Sequence, residues 1–149
     1  MSGSHLTSSS RKSVYFLDST TLIHAIDKNA AYHNECLDIV GKAAKGEIDA
    51  ATSLETLEET LFMLSKITSL PIAIQAVLYY LRMSKIKKFE MSRTIFEHTL
   101  EIMEASRLRH PKDVINVATM LENGIAKIIS EDKDYDKTNL IQRVHPKDF

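Results

Sequence analysis

Apolar residues occur along this 149-residue chain in two kinds of segment, short continuous runs and longer stretches with helical spacing. Residues 14–17 form a continuous apolar run, which is typical of a central parallel strand that is buried on both faces. Residues 86–91 alternate less cleanly between apolar and charged side chains, and they predict a strand near an edge of the sheet. Three more strands are predicted at residues 48–52, 125–129 and 141–144.

Helical spacing of apolar residues fills the intervals between these strands. Ser53 and Ser92 are predicted to cap helices, and Pro71 and Pro111 to open them. In the helix predicted at residues 31–45, the buried residues should include Leu37, Val40 and Ala44. In the helix that Pro71 opens, the residues expected to point inward are Ile74, Val77, Leu78 and Leu81. The alternation of strands and helices predicts a three-layer α/β/α sandwich around a parallel sheet of four to five strands.

Four acidic residues stand at comparable places in this predicted sheet. Asp18 follows the first strand, and Asp132 follows the fourth. Asp113 starts the helix before the fourth strand, and Glu59 lies near the start of the helix after the second. Because an open α/β sheet carries its chemistry at the carboxyl ends of its strands, these acids are predicted to face one crevice.

Carboxylates that converge on one crevice repel one another unless cations neutralise them. Hard oxygen ligands suit Mg²⁺ or Mn²⁺ rather than zinc. Such ions activate water and stabilise a phosphate leaving group, which is the chemistry of a metal-dependent nuclease. With 20 acidic residues in the chain, chance alone places some of them at strand ends. The spacing by itself therefore does not decide whether these four acids form a metal site.

Three stretches of the sequence together resemble the PIN domain, in its small VapC-type toxin form. They read FLDSTTLIHAI, SLETLEETLFML and KDVINVATMLENGIAKIISEDKDYD. In this family the first strand ends in an aspartate followed by Ser or Thr, and a later Ser precedes a glutamate. A further aspartate opens an Ala-containing helix, and an apolar strand leads to Ser or Thr, one residue and an aspartate. The resemblance covers nearly all of residues 14–146.

The resemblance implies roles for the four acids. Asp18, Asp113 and Asp132 would be metal ligands, direct or through water, and Glu59 would orient the attacking water. Glu58 competes with Glu59, because a helical wheel places Glu58 closer to the apolar stripe of its helix. The spacing of the family's motif favours Glu59.

Several neighbouring residues are carried over with these acids. Ser19 and Ser130 would donate hydrogen bonds to the ligands, and Asp136 is a further candidate for such a supporting position. A solvated surface is the default explanation for three basic residues near Asp113, but they are also candidates for holding RNA phosphates: Arg107, Arg109 and Lys112.

The resemblance implies a Mg²⁺- or Mn²⁺-dependent endoribonuclease that forms a homodimer and is neutralised by a small antitoxin protein. Residues 54–81, here called the apolar arm, are the predicted contact surface. Two alternatives remain at this point. One is a non-catalytic PIN-like module that binds or processes RNA. The other is a haloacid-dehalogenase-like phosphatase, which needs a second aspartate at position 20, where this chain has Thr20.

Composition and charge narrow the range of functions and cellular locations that this chain could have. The formal net charge of −1 excludes the strongly basic footprint of most pure nucleic-acid-binding modules, but metal ions can supply positive charge to a nuclease. A single cysteine, Cys36, fits a reducing cytoplasm, and no apolar run is long enough to span a membrane. Residues 1–13 are polar and rich in serine, so we expect a disordered leader followed by one domain at residues 14–149.

Overall fold

A computed structural model describes residues 13–149, so the predicted leader lies, but for Ser13, outside the described residues. Within this range five strands form one sheet of order β3-β2-β1-β4-β5, in which every neighbouring pair is parallel. The strands are β1 Val14–Leu17, β2 Asp49–Ser53, β3 Ile86–Phe89, β4 Lys127–Ile129 and β5 Gln142–Val144. The predicted parallel sheet is confirmed, and β3 lies at its edge as expected.

Six α-helices connect these strands within residues 13–149. They are α1 Ser19–Ile26, α2 His33–Lys45, α3 Leu54–Ile67, α4 Leu70–Arg82, α5 Arg93–Ala105 and α6 Pro111–Glu122, and a short 3-10 helix follows at Lys133–Lys137. The hydroxyls of Ser53, Ser69 and Ser92 each accept a hydrogen bond from the backbone N–H three residues on, so they cap α3, α4 and α5. None of the described helices is long and apolar enough to cross a membrane.

The two faces of β1 are covered by different helices. Phe16 belongs to the core formed with α5 and α6, whereas Leu17 belongs to the core formed with α1 and α2. Both side chains are fully buried. Successive residues of a strand point to opposite faces, so the continuous apolar run of β1 fills both cores and produces the three-layer sandwich.

The sheet changes direction at β1, which has β2 on one side and β4 on the other. The backbone N–H of Asp18 donates to the carbonyl of Ile129 at 3.2 Å, and that of Ser130 donates to the carbonyl of Val144 at 3.1 Å. The carboxyl ends of β1 and β4 are therefore fastened side by side. A crevice at such a switch point is where open α/β sheets bind their ligands.

The predicted buried face of α4 is mostly wrong, because Val77 alone among its four residues is partly buried and packs against the core. Ile74, Leu78 and Leu81 are each exposed, and the buried residues of this helix are Ala73, Ala76 and Tyr80. Small alanines let α4 approach its neighbours closely, so the larger apolar side chains point outward. Tyr80 also donates its hydroxyl proton to the carbonyl of Leu22 at 2.8 Å, which satisfies its polar atom inside the core.

The predicted face of α2 is also partly wrong. Leu37 is 50% exposed, while Cys36, Ile39, Val40 and Ala43 are buried. Cys36 is one position from Leu37, so the buried stripe is rotated by one residue relative to the prediction. Burial raises the pKa of the Cys36 thiol to about 12, which keeps it protonated as a packed side chain.

Candidate active site

Asp18 is buried directly after β1, where it caps α1. Its Oδ1 accepts from the backbone N–H of Ser19 at 2.9 Å, and its Oδ2 accepts from Ser130 Oγ at 2.6 Å. Asn116 Nδ2 donates to Oδ1 at 3.3 Å, and Thr20 Oγ1 lies 3.5 Å from Oδ2. Ser19 and Ser130, predicted as supporting residues, both hydrogen-bond to Asp18, Ser19 through its backbone N–H and Ser130 through its hydroxyl. The hydroxyl of Thr20 takes part in the same network.

The surroundings of Asp18 disfavour its charged form. Burial raises the pKa of this carboxyl from 3.8 to about 7, and the negative charges of Asp113 and Glu59 add to the rise. Hydrogen bonds from Ser130 and the backbone of Ser19 oppose it only in part. A buried carboxylate among other carboxylates, with no cationic side chain of residues 13–149 against it, is suited to receive a cation.

Three further aspartates form an acidic cluster beside it: Asp113, Asp132 and Asp134. One carboxylate oxygen from each lies within 4.8 Å of the other two. Asp113 is in the first turn of α6, and Asp132 caps the 3-10 helix by accepting from the backbone N–H of Asp134 at 2.9 Å. The fold thus brings together two acids that the sequence analysis named and one that it missed.

Burial and the charge of Asp132 raise the pKa of the Asp113 carboxyl to about 6, against a smaller opposing effect from His110. Carboxylate oxygens at this spacing are hard ligands, and their mutual repulsion falls when a divalent cation binds among them. The residues present therefore fit Mg²⁺ or Mn²⁺.

Two buried residues join Asp18 to the acidic cluster. Asn116 lies one helical turn after Asp113, and its Nδ2 donates to the hydroxyl of Tyr135 at 2.9 Å. That hydroxyl lies 3.5 Å from Asp18 Oδ1, and burial raises the pKa of Tyr135 well above its usual value. Neither residue was named in the sequence analysis. The spacing of three residues between Asp113 and Asn116, on one helix face, was the signal available for Asn116.

Glu59, rather than Glu58, is held at the site by other side chains. Its Oε2 accepts from Ser19 Oγ at 2.6 Å, and its Oε1 lies 3.1 Å from the ammonium of Lys112. Glu58 is exposed to solvent. The motif spacing that favoured Glu59 thus agrees with the geometry.

The three basic residues predicted near RNA have different surroundings. Lys112 is paired with Glu59 at the site. Arg109 Nη1 donates to the carbonyls of Met103 at 2.7 Å and Ser106 at 2.8 Å, so part of its guanidinium closes the end of α5. Arg107 lines a groove next to the site.

The structure does not bring Asp136 to the other acids. It is exposed, and its two oxygens accept from Arg143 Nε at 3.0 Å and Nη2 at 2.9 Å. Arg143 Nη1 also donates to the carbonyl of Ser130 at 3.1 Å. Asp136 is thus linked to the site only through the arginine that braces the backbone after β4.

Solved structures of bacterial toxins share this fold. VapC20 from Mycobacterium tuberculosis, described as a sarcin-ricin loop cleaving toxin, matches with a TM-score of 0.71 and 18% identity, over 83% of this chain and 93% of that one. VapBC2 from Rickettsia felis, bound to a DNA fragment from its promoter, matches with a TM-score of 0.67 and 12% identity, over 89% and 98%. DNA-bound VapBC from Salmonella typhimurium matches with a TM-score of 0.65 and 14% identity, over 91% and 99%.

These TM-scores show that the chains share a fold. No curated protein sequence matches this chain. The sequence model of the PIN domain matches residues 15–140, a segment that begins in β1 and contains all the acids of the site. The resemblance drawn from the three sequence stretches is confirmed, and the chain belongs to the PIN domain family.

Proposed function

We propose that this protein is a Mg²⁺- or Mn²⁺-dependent endoribonuclease and the toxin of a VapBC-type toxin–antitoxin pair. The observation that supports it most strongly is the acidic cluster of Asp113, Asp132 and Asp134, which lies with the buried Asp18 at the switch point of a PIN-domain sheet. The related VapC20 is described as a toxin that cleaves the sarcin-ricin loop, which supports RNA as the substrate class here.

Asp113, Asp132 and Asp134 would hold the ion directly, and Asp18, which Asn116 and Tyr135 connect to them, would bind it through water. When bound, the ion would supply Lewis acidity that activates water and stabilises charge on the phosphate. Hydrogen bonds from the supporting residues keep the Asp18 carboxylate in one orientation.

Glu59 and Lys112 act at the open side of this site. Ser19 holds one oxygen of Glu59, so the carboxylate is aimed into the crevice and can orient a water and accept its proton. The side chain of Lys112 is 56% exposed beside it, so its ammonium is available to a phosphate oxygen.

Cleavage of single-stranded RNA is expected to require Mg²⁺ or Mn²⁺ and to fall to background in excess chelator, because the site is built of carboxylates. The measurement is cleavage of an end-labelled RNA by the purified full chain, with metal restored after chelation as the control. Undiminished cleavage in chelator would remove the metal mechanism. Absence of both cleavage and manganese binding would favour the non-catalytic PIN-like module.

The apolar arm is proposed to form a homodimer contact. Phe62, Leu70 and Tyr79 are each more than half exposed on it, and large apolar surfaces of this kind mark association sites. Tyr80 also lies within residues 54–81, but it is buried and does not contribute to this surface.

We expect light scattering to give a dimer mass for wild type at high micromolar concentration, and a monomer mass for Phe62→Glu. Leu37→Glu is the matched control, because Leu37 is exposed to a similar extent but lies on α2, outside the arm. A monomeric wild type, or dimers that survive in Phe62→Glu, would exclude this contact.

An antitoxin is the second proposed partner. The Rickettsia felis and Salmonella typhimurium relatives were solved as VapBC, and a related structure from Klebsiella pneumoniae is described as a toxin-antitoxin complex. Co-purification with the product of a neighbouring short reading frame tests this pairing.

A further inference from the structure

A groove of about 720 Å³ lies beside the acidic cluster and belongs to no part of the site described above. We call it the flanking groove. One wall is the end of α5 and the residues after it, including Glu101, Ser106 and Arg107. The other is the end of the 3-10 helix and the segment that follows it, including Lys137 and Asn139. This volume is large enough to hold part of a bound linear polymer.

Both walls of the flanking groove continue into the acidic site. A second cavity of about 270 Å³ is lined by Asp113, Asp134 and Lys137, so Lys137 borders both spaces. On the other wall, Ser106 and Arg107 line the groove, and the next residues, Leu108 to Pro111, line the acidic cavity. The flanking groove and the acidic cavity are therefore adjacent parts of one depression on the surface.

The side chains along the groove suit a single-stranded nucleic acid. Arg107 is exposed and has no hydrogen bond or ion pair with any residue from 13 to 149, so its guanidinium is free for a phosphate. The ammonium of Lys137 lies 3.0 Å from Asp134, at the boundary with the acidic cavity. Base faces can rest on the imidazole of His98 and on apolar residues of the groove floor, which include Ile102, Leu121 and Leu140.

Two acids in the groove oppose this binding to different degrees. Asp136 is neutralised by its two hydrogen bonds to Arg143, which hold the pKa of its carboxyl below the usual value. Glu101 is exposed and has no such partner among residues 13–149. The groove therefore contains one negative charge, that of Glu101, that opposes nucleic-acid binding. Removing this charge should strengthen binding, whereas removing a positive charge from the groove should weaken it.

We propose that the flanking groove binds the single-stranded RNA next to the phosphate that is cut, with Arg107 and Lys137 on its backbone phosphates. This inference rests on the proposed ribonuclease function, because the acidic cavity supplies the cutting position. RNA that enters the acidic site alone meets mainly carboxylates, and the groove adds cationic and apolar contacts to the one that Lys112 offers there.

The test is fluorescence anisotropy of a labelled single-stranded 12-nucleotide RNA with the full chain, in chelator and at low salt, so that binding is measured without cleavage. Arg107→Ala is expected to weaken binding about tenfold, the size of one charged hydrogen bond, and to reduce the slope of log affinity against log salt by about 0.7. Glu101→Gln is expected to strengthen binding several-fold. Lys45→Ala, which removes a positive charge from a separate groove beside α2, should change neither quantity.

Cleavage with manganese is measured separately on the same variants. Cleavage by wild type with unchanged RNA affinity in Arg107→Ala would reject the groove and leave the nuclease standing. Binding that depends on Arg107 in a protein that never cleaves would reject the nuclease and leave an RNA-binding groove. An equal loss of RNA affinity in Lys45→Ala and Arg107→Ala would reject the groove as the RNA-binding site. The absence of measurable RNA binding by metal-free wild type would reject it as well.

Discussion

Replacing Asp18 with asparagine is expected to abolish RNA cleavage and, in the metal-free protein, to raise the melting temperature above that of wild type at pH 8. Burial and neighbouring acids raise the pKa of Asp18 from 3.8 to about 7, so the folded state holds a proton that the unfolded state has already released. Wild-type stability contributed by this group is therefore lost as pH rises from about 4 to about 7. The shift corresponds to about 4 kcal/mol at most.

Asparagine keeps the shape of Asp18 and removes the charge, so the advantage of Asp18→Asn should be small at pH 5 and largest at pH 8. For a chain of this length we expect a difference in melting temperature of up to about 10 °C at pH 8. Some hydrogen bonds to the new amide will be mismatched, but that cost does not vary with pH. The growth of the difference between pH 5 and pH 8 is therefore the quantity to measure by thermal denaturation in chelator.

Manganese provides the second readout for this variant. Mn²⁺ should raise the melting temperature of wild type by mass action and that of Asp18→Asn much less. Asp38→Asn is the control, because Asp38 is an exposed acid paired with Lys42 on α2. Equal manganese shifts in Asp18→Asn and wild type would place Asp18 outside the metal site, and the nuclease proposal would lose its main support.

Glu59→Gln is expected to lower kcat for RNA cleavage by about 10²-fold or more, the usual contribution of a positioned general base. The amide keeps the hydrogen bond from Ser19 but cannot take a proton from water, and it loses its charge opposite Lys112. Glu58→Gln is the matched control on the next residue. Because Glu58 is exposed, we expect its variant to cleave within about twofold of wild type, as for most exposed surface changes.

The manganese-dependent rise in melting temperature separates the role of Glu59 from that of a ligand. It should persist in Glu59→Gln and be reduced in Asp18→Asn. Steady-state kinetics on single-stranded RNA, combined with thermal denaturation, gives both quantities. A large loss in Glu58→Gln with little change in Glu59→Gln would reverse the assignment of the two glutamates.

Local signals in the sequence were enough to determine the elements and their order. The continuous apolar run of β1, the serine caps of α3 and α5, and the prolines near the starts of α4 and α6 all act within a few residues of the feature that they produce. The alternation of strands and helices then leaves a parallel α/β sandwich as the natural architecture, and that architecture is observed.

Sequence alone did not determine which face of a helix is buried when small residues make the contact. The pattern of large apolar side chains on α4 pointed to Ile74 and Leu78, but the close contacts are made by Ala73 and Ala76. A helix packs by the shape of its neighbours as well as by hydrophobicity, and that shape exists only after the chain has folded.

The candidate site shows the same division. Asp18, Asp113 and Asp132 were identifiable from the sequence because each follows a strand or starts a helix at a recognisable motif. The grouping of Asp113 and Asp132 with Asp134, and the link that Tyr135 makes to Asp18, depended on the order of the strands.

Placing β4 next to β1 brings residues more than 100 positions apart into hydrogen-bond distance, as in the 2.6 Å contact from Ser130 to Asp18. The residues next to Ser130 and Asp18 in the sequence do not indicate this contact. The sequence by itself determined the elements and most of the acids. Only the tertiary structure decided which acids meet and which side chains support them, because those choices depend on the packing of distant segments.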